Sequence, residues 1–222
     1  LTHPSPQAFI FDMDGTLVDN MGVHGKVWAE TFARQGVTID PAEFNRRTAG
    51  RTNPEIFRMI LERELSDQEI AELAEQKETL YRERYQPVMK PVDGLIPFLD
   101  QAEALGVKMA VATSAPKGNI DLVLHGLDLA KYFDAVVGSA DISRGKPDPE
   151  IFLTSARRLD VDTQNCIVFE DAPAGIEAAC HAGMRTVVIM TTLDPHEIEG
   201  QPRVIAVAKD FTSLDVKALI GG

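Results

Sequence analysis

Two aspartates one residue apart, Asp12 and Asp14, close the apolar run of residues 9–11 and are followed at once by Gly15 and Thr16. Three further polar sets stand just after or soon after apolar runs: Thr113 and Ser114 after VKMAVA, Lys146 in GKPDP after AVVG, and Glu170 with Asp171 after CIVF. These residue types suit displacement at phosphorus. The oxygens of a phosphate ester repel an incoming anion, so a catalyst must neutralise charge while it holds a nucleophile in line. Asp12 is the candidate nucleophile, whose carboxylate would accept the phosphoryl group and divide one hard step into two. Asp14 is the candidate acid/base, protonating the leaving oxygen and later activating the attacking water or sugar hydroxyl. Lys146 would offset developing negative charge, while Thr113 and Ser114 would donate hydrogen bonds to phosphoryl oxygens. Asp12, Asp14, Glu170 and Asp171 in one crevice would repel one another, which calls for a divalent cation; Mg2+ suits such an all-oxygen set.

Each set also has a plainer reading. An Asp-x-Asp-Gly after a strand can close an Asx-turn, Thr113 and Ser114 can cap the helix that follows, Lys146 can be a solvated loop lysine, and Glu170 and Asp171 can favour a helix N-terminus. Their arrangement argues for the chemical reading. Short Val- and Ile-rich runs separated by helical patterns read as buried parallel strands, so every set falls at or near a carboxyl end of a strand. Ligands bind at that edge of an open α/β sheet, where the connecting loops splay apart. The spacing predicts helix 95–105, strand 107–112, helix 117–126, strand 134–138, helix 148–159, strand 166–169, helix 173–182 and strand 186–190. Residues 203–219 add an edge strand, RVIAVA, and a closing helix.

With DMDGTLVD, the Thr113–Ser114 pair, GKPDP and FEDAPAGIEAA in this order over nearly the whole chain, the sequence resembles the haloacid dehalogenase superfamily, and within it the β-phosphoglucomutase-like and phosphoglycolate-phosphatase-like group with a helical cap. The resemblance implies a Rossmann-like parallel α/β core with an inserted four-helix bundle cap. It assigns the metal to Asp12, the backbone carbonyl of Asp14 and Asp171, with Glu170 in the first or second shell. It also implies cap residues for substrate. Lys77 matches a phosphate-binding lysine, His24 matches a histidine used near the acid/base aspartate, and Arg51 in AGRTN is placed to reach the distal end of the substrate.

The chain departs from the mutases at the positions where they carry a lysine and an arginine for a distal phosphate, here Ala49 and Asn53. A mutase must hold a bisphosphate at both ends, whereas a phosphatase needs one grip. The expectation is therefore a Mg2+-dependent phosphatase for a small phosphorylated metabolite, a sugar phosphate, with a sugar phosphomutase as alternative. An inorganic pyrophosphatase and a non-enzymatic phospho-acceptor switch rank below these. The presence of Asp14 argues against the dehalogenases and phosphonoacetaldehyde hydrolases of the superfamily.

Between Asp19 and Pro91 helical periodicity replaces the strand signals, so residues 1–19 and 91–222 form the core and 20–90 the cap. Helices are expected near 21–35, with Met21, Trp28 and Phe32 on one stripe and His24 at its edge, then near 41–47, near 54–64, and from Ser66, whose hydroxyl with Glu69 makes a capping box. Lys77 falls close to the centre of the stripe made by Ile70, Leu73, Ala74, Leu80 and Tyr81. It either snorkels to water or faces the crevice. His24 is equally open between a bundle role and a functional one.

Composition bounds the partners. With 222 residues the chain can bury a substantial core, and its net charge of −12 argues against nucleic acid and anionic membranes. Cys166 and Cys180 lack metal-type spacing and read as reduced thiols. No apolar stretch approaches about 18 residues, and residues 1–7 read as a polar arm. A cytoplasmic monomer acting on a small phosphorylated substrate is expected.

Overall fold

The computed structural model describes residues 8–193, 195–198 and 200–221; the arm expected at 1–7 lies outside them. The expected alternation of strands and helices is present. β1 (Ala8–Phe11), β2 (Lys108–Ala112), β3 (Ala135–Val137), β4 (Cys166–Glu170), β5 (Arg185–Ile189) and β6 (Val204–Ala208) form one sheet of order β3-β2-β1-β4-β5-β6, with every pairing parallel. β6, read from RVIAVA, lies at an edge. The helices α5 (Leu95–Ala104), α6 (Lys117–Gly126), α7 (Glu150–Leu159), α8 (Pro173–His181) and α9 (Val216–Gly221) complete the core.

Side chains alternate across the central strands, and both faces are buried, which is why these strands read as continuous apolar runs. Phe9, Phe11, Met109, Val111, Ile167 and Phe169 join the layer under α5, α6 and α9. Ala8, Ile10, Ala110, Ala112, Cys166 and Val168 join the layer under α7 and α8. Phe11 stacks on Phe169 with ring centroids 4.5 Å apart, and Phe98 of α5 closes over both. Cys166 and Cys180 are free thiols, as their spacing indicated.

Between β1 and α5 lie α1 (Met21–Arg34), α2 (Pro41–Thr48), α3 (Asn53–Leu61) and α4 (Asp67–Tyr85), packed around Trp28, Phe32, Phe44, Ile56, Phe57 and Ile70. The Ser66–Glu69 capping box opens α4 as expected, with Ser66 N donating to Glu69 Oε2 at 2.9 Å and Glu69 N to Ser66 Oγ at 3.2 Å. α3 ends at Leu61, earlier than the expected 64, because Glu62 turns left-handed with φ of 47°. α7 begins at Glu150 rather than 148, where Asp148 Oδ1 accepts from Glu150 N at 3.0 Å. The two passages into and out of the helical insert run side by side. Val18 bridges Pro91 in antiparallel sense, and Val92 N donates to Leu17 O at 2.9 Å.

Candidate active site

Strand register brings the sequence-predicted groups together. Phe11 pairs with Val111 on one side and Phe169 on the other, so the next residues in the three strands are Asp12, Ala112 and Glu170, side by side at the carboxyl edge. The chain leaves β1 toward β2 on one side and β4 lies on the other, which makes this edge the topological switch point of the sheet. Asp12 N still donates to Phe169 O at 3.0 Å and Thr113 N to Val137 O at 3.0 Å, so both site residues are anchored by extensions of the ladder.

Lys146 joins the carboxylates. Its Nζ donates to Asp12 Oδ1 at 2.5 Å, to Glu170 Oε1 at 2.6 Å and to Ala112 O at 3.3 Å, with the side chain only 2% exposed. Glu170 Oε2 accepts from the backbone N–H of Asp171 at 2.9 Å and of Ala172 at 3.0 Å, so both its oxygens are engaged. Asp171 is oriented by two threonines, accepting from Thr16 Oγ1 at 3.1 Å and Thr192 Oγ1 at 2.6 Å. Glycine is required at two neighbouring places. A Cβ on Gly15, whose φ is 90°, would lie 2.0 Å from Asp171 Oδ2, and one on Gly175 would lie 1.8 Å from Glu170 Oε1.

Asp12, Glu170 and Asp171 offer oxygens within 4.8 Å of one another, all buried. One lysine cannot neutralise three such carboxylates. Burial, helped by Glu170 and Asp14, outweighs Lys146 and pushes the Asp12 carboxyl up to about 7. Asp171 is raised well above the usual carboxylate range by burial and by the charges of Glu170 and Asp12. Burial alone would lower Lys146, but Asp12 and Glu170 overcome it and hold the ammonium charged.

Asp14 lies in a different environment. Asn20 Nδ2 donates to its Oδ1 at 2.5 Å, and His24 Nε2 is 3.7 Å from the same oxygen. Burial would raise this carboxyl, but His24 and Asn20, with Lys77 behind them, hold it below the usual range. The His24 ring stacks on Tyr81 at 3.8 Å, and its Nδ1 meets Lys77 Nζ at 3.2 Å. An ammonium can only donate, so Nδ1 accepts and the ring proton of the neutral imidazole sits on Nε2, toward Asp14. His24 therefore stands between Asp14 and Lys77, where the helical insert meets the core.

A cleft of about 110 Å³ joins the sheet edge to the helical insert and is lined by all of the sequence-predicted site residues. Lys77 is 2% exposed, so the snorkelling reading does not hold. Its Nζ donates to Glu78 Oε1 at 2.8 Å and lies 4.5 Å above the Trp28 ring. Thr113 Oγ1 accepts from Ala115 N at 3.1 Å and keeps its own proton for another acceptor, whereas Ser114 Oγ gives its proton to Gly50 O at 2.7 Å. Ser114 thus ties the insert to the core in this state. Arg51 stays exposed at the mouth, with Nε donating to Arg47 O at 3.1 Å.

Several site residues escaped the sequence reading. Asn20 and Tyr81 lie behind Asp14, with Asn20 Nδ2 also 2.6 Å from Tyr81 OH. Thr16 and Thr192 orient Asp171. Glu78, 3% exposed, lines the cleft. Its position was recoverable, because 70, 74, 78 and 81 follow helical spacing and place Glu78 on the buried stripe.

A parallel α/β sheet with paired aspartates, a buried lysine and an acidic pair at its carboxyl edge defines an enzyme class that works on small ligands held at that edge. The sequence pattern of the haloacid dehalogenase-like hydrolases matches residues 9–189, and the chain belongs to that family. It is 33% identical over 92% of its length to validoxylamine A 7'-phosphate phosphatase of Streptomyces hygroscopicus subsp. limoneus, covering 94% of that protein. It is 34% identical over 80% of its length to the fructose-1-phosphate phosphatase of Escherichia coli (strain K12), covering 93% of that protein. Among solved structures, β-phosphoglucomutase from Clostridium difficile is similar with a TM-score of 0.84 and 28% identity, covering 96% of this chain and 95% of that one. The protein is an enzyme, a phosphatase by its sequence relatives, with the phosphomutases as the alternative among its structural neighbours. Among the described residues no helix is long and apolar enough to cross a membrane.

Proposed function

We propose that the protein is a Mg2+-dependent phosphatase that hydrolyses a sugar phosphate or similar small metabolite through an aspartyl-phosphate on Asp12. The observation that carries this reading is Lys146, bonded at once to Asp12 and Glu170 with Asp171 alongside. That arrangement orients one oxygen of Asp12 and leaves the other for attack on phosphorus. The surplus of buried negative charge fits a hard cation held by Asp12, Asp171 and the Asp14 carbonyl. Glu170 stands behind them, since its oxygens are already given to Lys146 and two amides. When bound, Mg2+ supplies charge neutralisation at the transferring phosphoryl group.

Thr113 donates its free hydroxyl proton to a phosphoryl oxygen, and Lys146 balances charge on the opposite side. Asp14, protonated from solvent as the substrate binds, gives that proton to the leaving oxygen and then takes one from the water that attacks the aspartyl-phosphate. Held ionised by Asn20 and His24, it is set for that second, hydrolytic role. Residues 20–90 act as a lid over the core. The contacts Ser114–Gly50 and Gly145 N–Glu55 Oε1, at 3.4 Å, would break when it opens, and the paired passages at 18 and 91 serve as the hinge.

The test is release of phosphate from a generic aryl phosphate with Mg2+ and with EDTA. Metal-dependent turnover that disappears in Asp12→Asn is expected. Turnover that survives either treatment would overturn the reading.

A further inference from the structure

We infer that the end of the cleft lined by the helical insert around Glu78 reads hydroxyl groups and keeps out a second phosphate, so that the substrate is a monophosphorylated polyhydroxy compound whose remainder carries no charge. The inference rests on the phosphatase reading above and narrows its substrate class.

Glu78 is the residue that decides it. Its carboxylate is gripped from three elements: Lys77 on α4 and Asn53 on α3 donate to Oε1 at 2.8 and 2.7 Å, and Asn119 on α6 donates to Oε2 at 2.7 Å. Burial would raise it, but the Lys77 ammonium and the hydrogen bonds from Lys77 and Asn53 hold the group below the usual range, so it is an anion facing the cleft. Lys77 is matched by that anion. Two of its protons go to Glu78 and His24, and its ammonium sits over Trp28, so the buried cation at this end is already committed. Ala49 and Asn53 add no positive charge.

A phosphate dianion placed here would be stripped of water and set against a fixed carboxylate. Arg51 lines the same cleft, but it is exposed and held to Arg47 O, where water screens its pull. A hydroxyl meets the opposite situation. Glu78 Oε2 retains acceptor capacity beyond its bond to Asn119, and Phe44 and Ile56 offer an apolar wall for C–H groups. A carboxylate and amides beside apolar side chains match the alternating polar and apolar surface of a sugar or polyol.

The experiment measures phosphate release by the Mg2+-supplied enzyme from aldose, ketose and hexitol monophosphates, the corresponding bisphosphates, and n-hexyl phosphate. The best monophosphate is expected to exceed its bisphosphate and the alkyl phosphate in kcat/KM by about tenfold or more. In Glu78→Gln the monophosphate-to-bisphosphate ratio should fall. Asn53→Arg, which returns a cation to this end and keeps the Glu78 carboxylate while exchanging the Asn53 bond to its Oε1, should lower the ratio as well and serves if Glu78→Gln does not fold. A wild-type enzyme that treats bisphosphates or the alkyl phosphate as well as the monophosphates overturns the inference, as does a ratio unmoved in a folded variant. Turnover of an aryl phosphate alone overturns it while leaving the phosphatase reading intact. Failure on the aryl phosphate as well removes both.

Discussion

Magnesium affinity should depend steeply on pH, because the buried acids that would hold the ion must first give up protons. In the metal-free protein the Asp12 carboxyl is pushed up to about 7 by burial among acids. A metal can bind only after that proton leaves. Between pH 8 and pH 5 the apparent affinity should fall on the order of 100-fold, or about 3 kcal/mol, from this group alone. Asp171, raised for the same reason, steepens the fall. The folded value lies above the ordinary 3.8, so the metal-free fold gains from Asp12 below about pH 4 and loses that gain as pH rises through about 7. Mg2+ should accordingly add little to Tm at pH 5 and progressively more at pH 6, 7 and 8. Thermal melts with and without Mg2+ give the trend, and titration calorimetry in two buffers of different ionisation enthalpy counts the displaced protons. A dissociation constant that changes by less than about twofold between pH 5 and 8 would refute the claim that the three carboxylates are short of positive charge.

Replacing the buried cation should be costly. Lys146→Met leaves Asp12 and Glu170 without their shared partner, so stability by urea denaturation should drop by about 3–5 kcal/mol and kcat by at least about 100-fold. Full turnover in this variant would contradict the role given to the lysine. Gly175→Ala would place a methyl 1.8 Å from Glu170 Oε1, and a loss of about 1–3 kcal/mol is expected, together with weaker Mg2+ binding by calorimetry. Gly50→Ala puts Cβ 2.8 Å from Lys146 Cβ at a φ of 78°. It should hinder closure of residues 20–90, raising KM for the best monophosphate while Mg2+ binding is unchanged.

The sheet was legible because its signal is local. Apolar runs such as CIVF and VKMAVA can be read as strands without knowing their partners, and the polar residues after them mark the carboxyl edge. Strand order was not local information; only the pairings of β1 with both β2 and β4 put Asp12 beside Glu170. Lys77 stood out as a charge on an apolar stripe, and the structure buries it. Glu78 lies on the same stripe, yet its partners Asn53 and Asn119 come from 25 and 41 residues away. Helical spacing shows that such a residue is buried but not what satisfies it. Thr192 and Thr16 were hidden for a related reason, since hydroxyls that orient Asp171 across 21 and 155 residues look like any loop threonine.

The neighbouring passages at Val18 and Pro91 have a consequence for how such an enzyme diversifies. Because the polypeptide departs and returns through a single doorway, the intervening helices can be exchanged as a cassette without changing the order of the sheet. On the proposed reading a transplanted insert should carry Glu78 and its preference among substrates to a new host, together with the Asn20 and His24 groups that face Asp14.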